Sequence, residues 1–583
     1  MKEKRRMGES SLVILCVFMG ILTGLAFTTP YKNLMQETYQ HLIGESNSWL
    51  VAAVAQICYL LQNSDLQTSF LSIGTAGCYF FFLKKNMWQI SKINCIFSGI
   101  FSIFMMIGKC LKDAGTISFI SSNLKHFIFS LLFAAGYFCF FSMVLLSISI
   151  FYNKYRIKTD CLKDNTKDKH CFIFSFLCYF LFRIPYLFYF YPGVVTYDGF
   201  LQLDFYIGSI EWSNIHPVFS TVIMGIIFKI GTWIGGSDNA GIFFYSLFQS
   251  LVGATVIAYS ICLLKKWNIA WKWRMGILLY FSFFSIWQIY SITLIKDVLY
   301  YLAVLLWILY LMDIEITKVK FSFLHILGVV ATSLLVCLLR NNGIYIVVPT
   351  LLSMVFFIKR NRKYLLESLI GVLGIYAVFH FIFLSVFGIQ EGNIREALSV
   401  PFQQTARYVK EYPNDVTEKE KEIISKVLDY ENLANLYNPD ISDPVKSRRF
   451  NTTEEIKAYL IVWWKQLWRH PICYIESFLH GTYRYFYLNS LPYTSIGNYV
   501  MATNYSYVNR GDFDFYFLDN RVDGRKLIEN FDSIQYKLPI INLLYRPACY
   551  TWLLILAVFF IFTNKNYRKL VFFIPALLCL LIN

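Results

Sequence analysis

Apolar runs long enough to cross a bilayer recur from one end of this chain to the other, and they leave few folds open. About 20 apolar residues wound as a helix match a hydrocarbon core of roughly 30 Å. In that medium every backbone N–H and C=O must be satisfied within its own element, so helices are the economical solution. Candidate runs, some of them shorter, stand at 12–28, 68–83, 93–110, 127–151, 171–191, 218–235, 242–264, 275–295, 298–312, 323–339, 344–358, 365–387, 542–562 and 570–582. Only 15% of the residues are charged, where a soluble chain carries about 25%. The expected class is an all-α polytopic membrane protein.

The net charge of +16 does not point to nucleic acid. Its Lys and Arg gather in short loops between the apolar runs, as the positive-inside rule requires. Arg5 and Arg6, then Lys84 and Lys85, then Lys154, Arg156, Lys158, Lys163, Lys167 and Lys169 fall at alternate ends. Placing them in the cytoplasm puts the N-terminus inside and the loop 192–217 outside. The first run is read as an uncleaved span, because no small-residue cleavage pattern follows it. The apolar segment 49–62 is short for a span and is assigned to the interface or to an extension of the second helix. If all later runs crossed, the clusters at 265–274 and 359–363 would lie outside. A re-entrant or interfacial helix at 218–235 removes that conflict and leaves about thirteen true spans. Four regions follow: N-terminal helices (1–170), a second membrane module (171–388) and a mainly helical extracytoplasmic domain (389–540) precede a C-terminal helical region (541–583).

That arrangement gathers the unusual polar residues on one side. The loop YPGVVTYDGFLQLDFYIGSIEWSNIHP carries Asp198, Asp204 and His216. A carboxylate just outside a membrane helix can take a proton or hold a metal ion at the lipid–water boundary. His216 can accept a proton or ligate a metal. These three are the catalytic candidates, and Asp198 is the ligand if a divalent cation is used. Lys296 and Asp297 interrupt two apolar runs, where an ionised side chain needs a partner or a water-filled cavity. Arg340 ends a span beside Asn341 and can fork onto a phosphate through two hydrogen bonds. Gln403, Gln404 and Arg407 can hold sugar hydroxyls or a diphosphate. The plainer readings are helix-capping carboxylates, a short charged loop, an arginine reaching to headgroups and a solvated helix face. Trp463, Trp464 and Trp468 suit a helix at headgroup level. The end of the same loop adds Asp512, Asp514 and Asp519.

Most of the 14 cysteines lie within apolar runs, so no disulfide framework is expected. No Walker motif, G-x-S-x-G, H-E-x-x-H, CxxC pair or dinucleotide fingerprint occurs.

With the Asp198 loop, the His-Pro helix start and a final outer domain in place, the plan resembles the C-type (GT-C) glycosyltransferases. The set PGVVTYD, NIHPVFSTVIMG, LIKD, LRNNG and PFQQTAR also resembles a bacterial membrane-protein family with a glycosyltransferase-like plan. The resemblance runs from about residue 183 to the end and leaves the first four spans unexplained. It implies transfer of a sugar from a polyprenyl-phosphate-linked donor to a glycan, lipid or protein acceptor on the outer face of the cell membrane. Asp198 would orient or deprotonate the acceptor. Tyr197, Lys296, Asp297, Arg340, Asn341, Gln403, Gln404 and Arg407 would bind substrate. The paired carboxylates of several GT-C members are lacking, which leaves a divalent cation as an open cofactor. Two other classes share parts of this plan: a polysaccharide polymerase or ligase using a lipid-diphosphate donor, and a polytopic transporter or flippase.

Overall fold

The computed structural model describes residues 8–31, 66–86, 90–156, 168–318, 321–392, 395–446, 452–490 and 513–582. The apolar segment 49–62, Arg5, Arg6, Lys158, Lys163, Lys167 and Asp512 lie outside them. Among the described residues the chain is helical except for one pair of two-residue strands. It begins with α1 (Glu9–Thr28), α2 (Leu66–Asn86), α3 (Lys92–Ala114) and α4 (Leu124–Arg156). Then come α5 (Asp168–Leu181), α6 (Ile184–Tyr189), β1 (Val194–Val195), α7 (Tyr197–Ile207), α8 (Val218–Gly235) and α9 (Asp238–Lys266). After α10 (Trp271–Phe283), α11 (Ser285–Ser291) and β2 (Thr293–Leu294) follow α12 (Lys296–Ile316), α13 (Phe323–Leu339), α14 (Ile344–Phe357) and α15 (Arg362–Ala377). The later elements used below are α16 (Ser399–Glu411), α17 (Thr453–Arg469), α18 (Pro471–Thr482), α19 (Val522–Lys537) and α20 (Pro547–Thr563).

Among the described residues nine helices are long and apolar enough to cross a membrane, and three shorter apolar helices stand beside them. Their outward faces are greasy. Leu66, Phe70, Ile73 and Phe81 of α2 are each 73–77% exposed, a pattern that water penalises and lipid does not. Inward faces interlock. Trp307, Tyr245, Tyr300 and Met224 have no accessible surface, and between membrane helices such burial stabilises through close packing rather than escape from water.

The chain packs as two compact units that interleave along the sequence. One takes in 1–157, 394–492 and 546–563; the other takes in 158–393, 493–545 and 564–583. The segment 389–540, expected as one domain, is shared between them. Each unit carries its own long-range polar ties. In the first unit Glu476 accepts hydrogen bonds from Thr116 and Ser118 at the end of α3. In the second, Asp238 and Asn239 at the start of α9 hold the backbone of Asp514 and Tyr516.

One expected span, 275–295, is not a single helix. It breaks at Phe284 between α10 and α11 and ends in β2. Side chains replace the missing helical bonds. Arg183, fully buried, donates to the carbonyls of Phe281 (2.8 Å) and Ser282 (3.2 Å). Gln535 accepts from the Ser285 amide and hydroxyl at 3.1 and 2.8 Å. Hydropathy cannot register such a break, because the run stays apolar on both sides of it. The C-terminal run 570–582 likewise divides into a 3₁₀ segment, Tyr567–Phe573, and a helix, Ile574–Ile582.

The course of α8 follows from its neighbours. Lys266 and Trp267 meet Asp313 near the end of α12, and Gln249 meets the carbonyl of Thr293 just before its start. Thus α9 and α12 run parallel. At 1.5 Å per residue, α9 is about 43 Å long and α12 about 31 Å, so the first turns of α9 project beyond Lys296. Helix α8 begins beside the Lys296 end and folds back along this projection, with Gly231 against Phe244 and Gly235 against Ala240. By length and composition α8 could cross a membrane.

Candidate active site

Two short arms of the second unit converge on the site. Strands β1 and β2 pair in parallel, Val194 opposite Thr293 and Val195 opposite Leu294. Each strand is followed by one residue and then a helix, so the arms continue in register through Thr196 and Ile295 into α7 and α12. Asp198 and Asp297 thus occupy the same place, second residue of their helices, 99 positions apart in sequence. The N-terminal end of a helix favours a carboxylate in its first turn. Gly193 makes the approach feasible: its φ is +139°, and a Cβ there would collide with Ser246 and the carbonyl of Ile292. Thr196 joins the arms, donating to the Leu294 carbonyl at 2.9 Å while accepting from the Gly199 amide at 3.3 Å.

The charged groups form two ion pairs that share the start of α12. Lys296 Nζ lies 2.6 Å from Asp198 Oδ2, and Asp297 Oδ1 lies 2.5 Å from Arg340 NH1. A lysine in the first turn of a helix opposes the helix dipole; Asp198 compensates it. Burial pushes the Asp198 carboxyl up, but Lys296, with His216 and Arg340, more than reverses this and holds it below the usual carboxylate value.

His216 completes the group. Its Nδ1 is 3.0 Å from Lys296 Nζ. An ammonium has only donors to offer, so Nδ1 accepts and the ring proton sits on Nε2. Burial, reinforced by Lys296 and opposed by Asp198, pushes His216 down to about 4, which keeps it neutral. Its Nε2 is buried with no hydrogen-bond partner among the described residues. His216 therefore presents a donor, not a basic nitrogen. The sequence had left it as a proton acceptor or metal ligand, and neither suits this tautomer.

The other expected site residues divide plainly. Asn341 donates to the Asn214 carbonyl at 2.6 Å, fixing the 208–217 loop beside Arg340. Tyr197 is 42% exposed at the start of α7. Asp204 is wholly buried on the same helix; six residues at 100° each set it about 240° around the axis from Asp198. Gln403, Gln404 and Arg407 belong to the other compact unit and hold it together. Gln403 donates to the carbonyls of Asn438 and Ile441, and Gln404 bridges the Tyr474 carbonyl and the Trp463 indole. Arg407 pairs with Glu411 and the buried Glu476. Those atoms are engaged internally.

No group of three or more His, Cys, Asp and Glu side chains converges among the described residues. Both carboxylates of the site are matched by a cation of the chain itself. Residues 207–583 match the model of a family of unknown function (DUF6020). The chain belongs to this DUF6020 family. The DUF6020 segment contains His216, Lys296, Asp297, Arg340 and Asn341, whereas Asp198 and Tyr197 precede it. No curated protein and no solved structure matches the chain. The residues missed by sequence reasoning, Thr196, Asn214 and Arg183, are those that position the arms. For Thr196 the sequence signal is the pair VVTYD and TLIKD, each a two-residue strand followed by two residues and Asp in the first turn of a helix.

Proposed function

We propose that this protein is a membrane glycosyltransferase that moves a sugar from a polyprenyl-phosphate-linked donor to a cell-envelope acceptor. The observation that carries the reading is the Asp198–Lys296–His216 cluster beside the Asp297–Arg340 pair, at one end of an apolar bundle. In this reading Lys296 and Arg340 bind the donor phosphate. As Lys296 turns toward the phosphate, its hold on Asp198 weakens and the carboxylate becomes a stronger base. The acceptor hydroxyl oxygen attacks the anomeric carbon, and the bond from that carbon to the phosphate oxygen breaks. The hydroxyl proton passes to Asp198, and the lipid phosphate leaves with its new charge matched by the two cations. The Nε2–H of His216 donates to a substrate oxygen.

The basic end of the bundle supports an extracytoplasmic site. Lys265, Lys266 and Arg360 lie at the end of α12 remote from Lys296, where Lys265 meets Asp168, Lys266 meets Asp313 and Arg360 reaches the Lys318 carbonyl. By the positive-inside rule that end is cytoplasmic. In this reading α8 lies at the opposite interface instead of crossing, and the charge clusters stay consistent.

The test is sugar transfer by purified protein in nanodiscs with radiolabelled polyprenyl-phosphate sugars, acceptor membranes and Asp198→Asn in parallel. Transfer by the wild type and its loss in the well-folded variant is the expected result. Transfer that survives the substitution removes Asp198 as the base, and a lipid-diphosphate polymerase or ligase then explains the site better.

A further inference from the structure

The first compact unit carries an apolar face that its own core does not use. Helices α17 and α18 form a hairpin whose inner side is packed: Ile456, Tyr459, Val462, Cys473 and Tyr474 are buried. The outer side shows Ile461, Trp464, Trp468, Ile472, Ile475 and Phe478, between 46% and 69% exposed. On α17 these residues recur at helical spacing, and Lys457 and Lys465 lie one turn either side of Ile461 on the same exposed stripe. Water penalises such a surface, and it needs a cover.

The hairpin's depth says what the cover is. Glu476 of α18 accepts from Thr116 Oγ1 (2.5 Å), the Ser118 amide (2.9 Å) and the Ser118 hydroxyl (3.1 Å). His480 Nε2 is 2.6 Å from the carbonyl of Gly115, the residue that ends α3. Farther along, the Phe486 carbonyl accepts from Trp552 Nε1 of α20 at 2.8 Å. Thus α18 is fastened to the end of one span-length apolar helix, and the segment after it to a second apolar helix. An element fixed at the mouth of a membrane helix sits at headgroup depth.

We propose that the outer face of the α17–α18 hairpin lies in the bilayer interface, its Trp and Ile side chains among the upper acyl carbons and Lys457 and Lys465 at lipid phosphates. Indoles favour that layer, where an apolar ring and a polar N–H are both accommodated. Interfacial helices bury their apolar side about 5–10 Å deep, with lysines on the polar boundary. This inference is independent of the sugar-transfer reading.

The experiment uses the full chain in nanodiscs of phosphatidylglycerol brominated near the carbonyl or near the chain end. The fluorescence of Trp464→Phe/Trp468→Phe is subtracted from that of the wild type, and both proteins are checked for the same thermal transition. The difference emission is expected to be blue-shifted, shielded from aqueous iodide and about twofold more quenched by shallow than by deep bromines, in line with a shallow interfacial depth. A difference emission that iodide quenches and neither bromolipid affects places the face in water and overturns the proposal. Shielding from iodide without bromolipid quenching assigns the face to a protein neighbour, and also overturns it. The milder pair Trp464→Tyr/Trp468→Tyr repeats the subtraction should the Phe pair shift the thermal transition.

Discussion

Replacing Lys296 with Met tests the central geometry, because the ammonium touches both Asp198 and His216. In the folded protein His216 is held down to about 4 from an ordinary 6.5. Burial contributes most of that and Lys296 contributes next, with Asp198 pulling the other way. At an effective dielectric constant near 20, two unit charges 3.0 Å apart repel by roughly 5 kcal/mol, an upper bound of about four pKa units. The depression to about 4 is smaller than that bound, and burial takes the larger part, so Lys296 supplies the lesser share. Once it is gone, the unopposed Asp198 carboxylate adds a further increment. His216 in Lys296→Met should therefore titrate about one to two units higher than in the wild type. The assay is histidine-selective ¹⁵N NMR of the full chain in detergent, with His216→Gln to assign the signal. In the wild type the ring should show protonated Nε2 and bare Nδ1 from neutral pH down to about 5. A His216 titration that does not move in the variant would refute the Lys296–Nδ1 contact and the donor role derived from it.

Other consequences of the same contacts can be checked by thermal or denaturant unfolding. His216 is lowered in the folded state, so its contribution to stability is present above about 6.5 and lost as pH falls from 6.5 toward 4, an effect absent from His216→Gln. Asp297→Asn leaves Arg340 without its carboxylate and should cost about 1–3 kcal/mol; Asp297→Asn/Arg340→Met should recover part of it. Glu476→Gln removes the charge from a buried pair with Arg407 and weakens three hydrogen bonds at the end of α3, so about 3–5 kcal/mol is expected. Equal unfolding midpoints for Glu476→Gln and the wild type would contradict the burial of that pair. Arg183→Met leaves the Phe281 carbonyl without its donor and the Ser282 carbonyl with Gln288 alone, and should destabilise the α10–α11 break by about 1–3 kcal/mol.

Much of the helical plan was legible because apolar spacing is a local property. The first four runs and the long helix α9 fall where hydropathy sets them. The run 275–295 did not, since its break depends on Arg183 and Gln535, which approach from 98 and 250 residues away. The polar residues of the loops could be recognised as unusual, but their partners could not. Asp198 and Asp204, six residues apart, looked like a pair; one faces Lys296 and the other is buried about 240° around the helix. Gln403, Gln404 and Arg407 looked equally eligible for ligand binding, and internal hydrogen bonds engage all three.

By itself the sequence determined the helical class, the apolar faces and the presence of charges that a bilayer would not tolerate unpaired. Those follow from the cost of exposing a backbone or a charge to hydrocarbon, which each segment meets alone. Tertiary structure decided which charges meet. Parallel pairing of β1 and β2 sets Asp198 and Asp297 in equivalent places, and one lysine then fixes both the carboxylate and the tautomer of His216. Such matching acts over a few ångströms between residues a hundred positions apart, so no local pattern carries it.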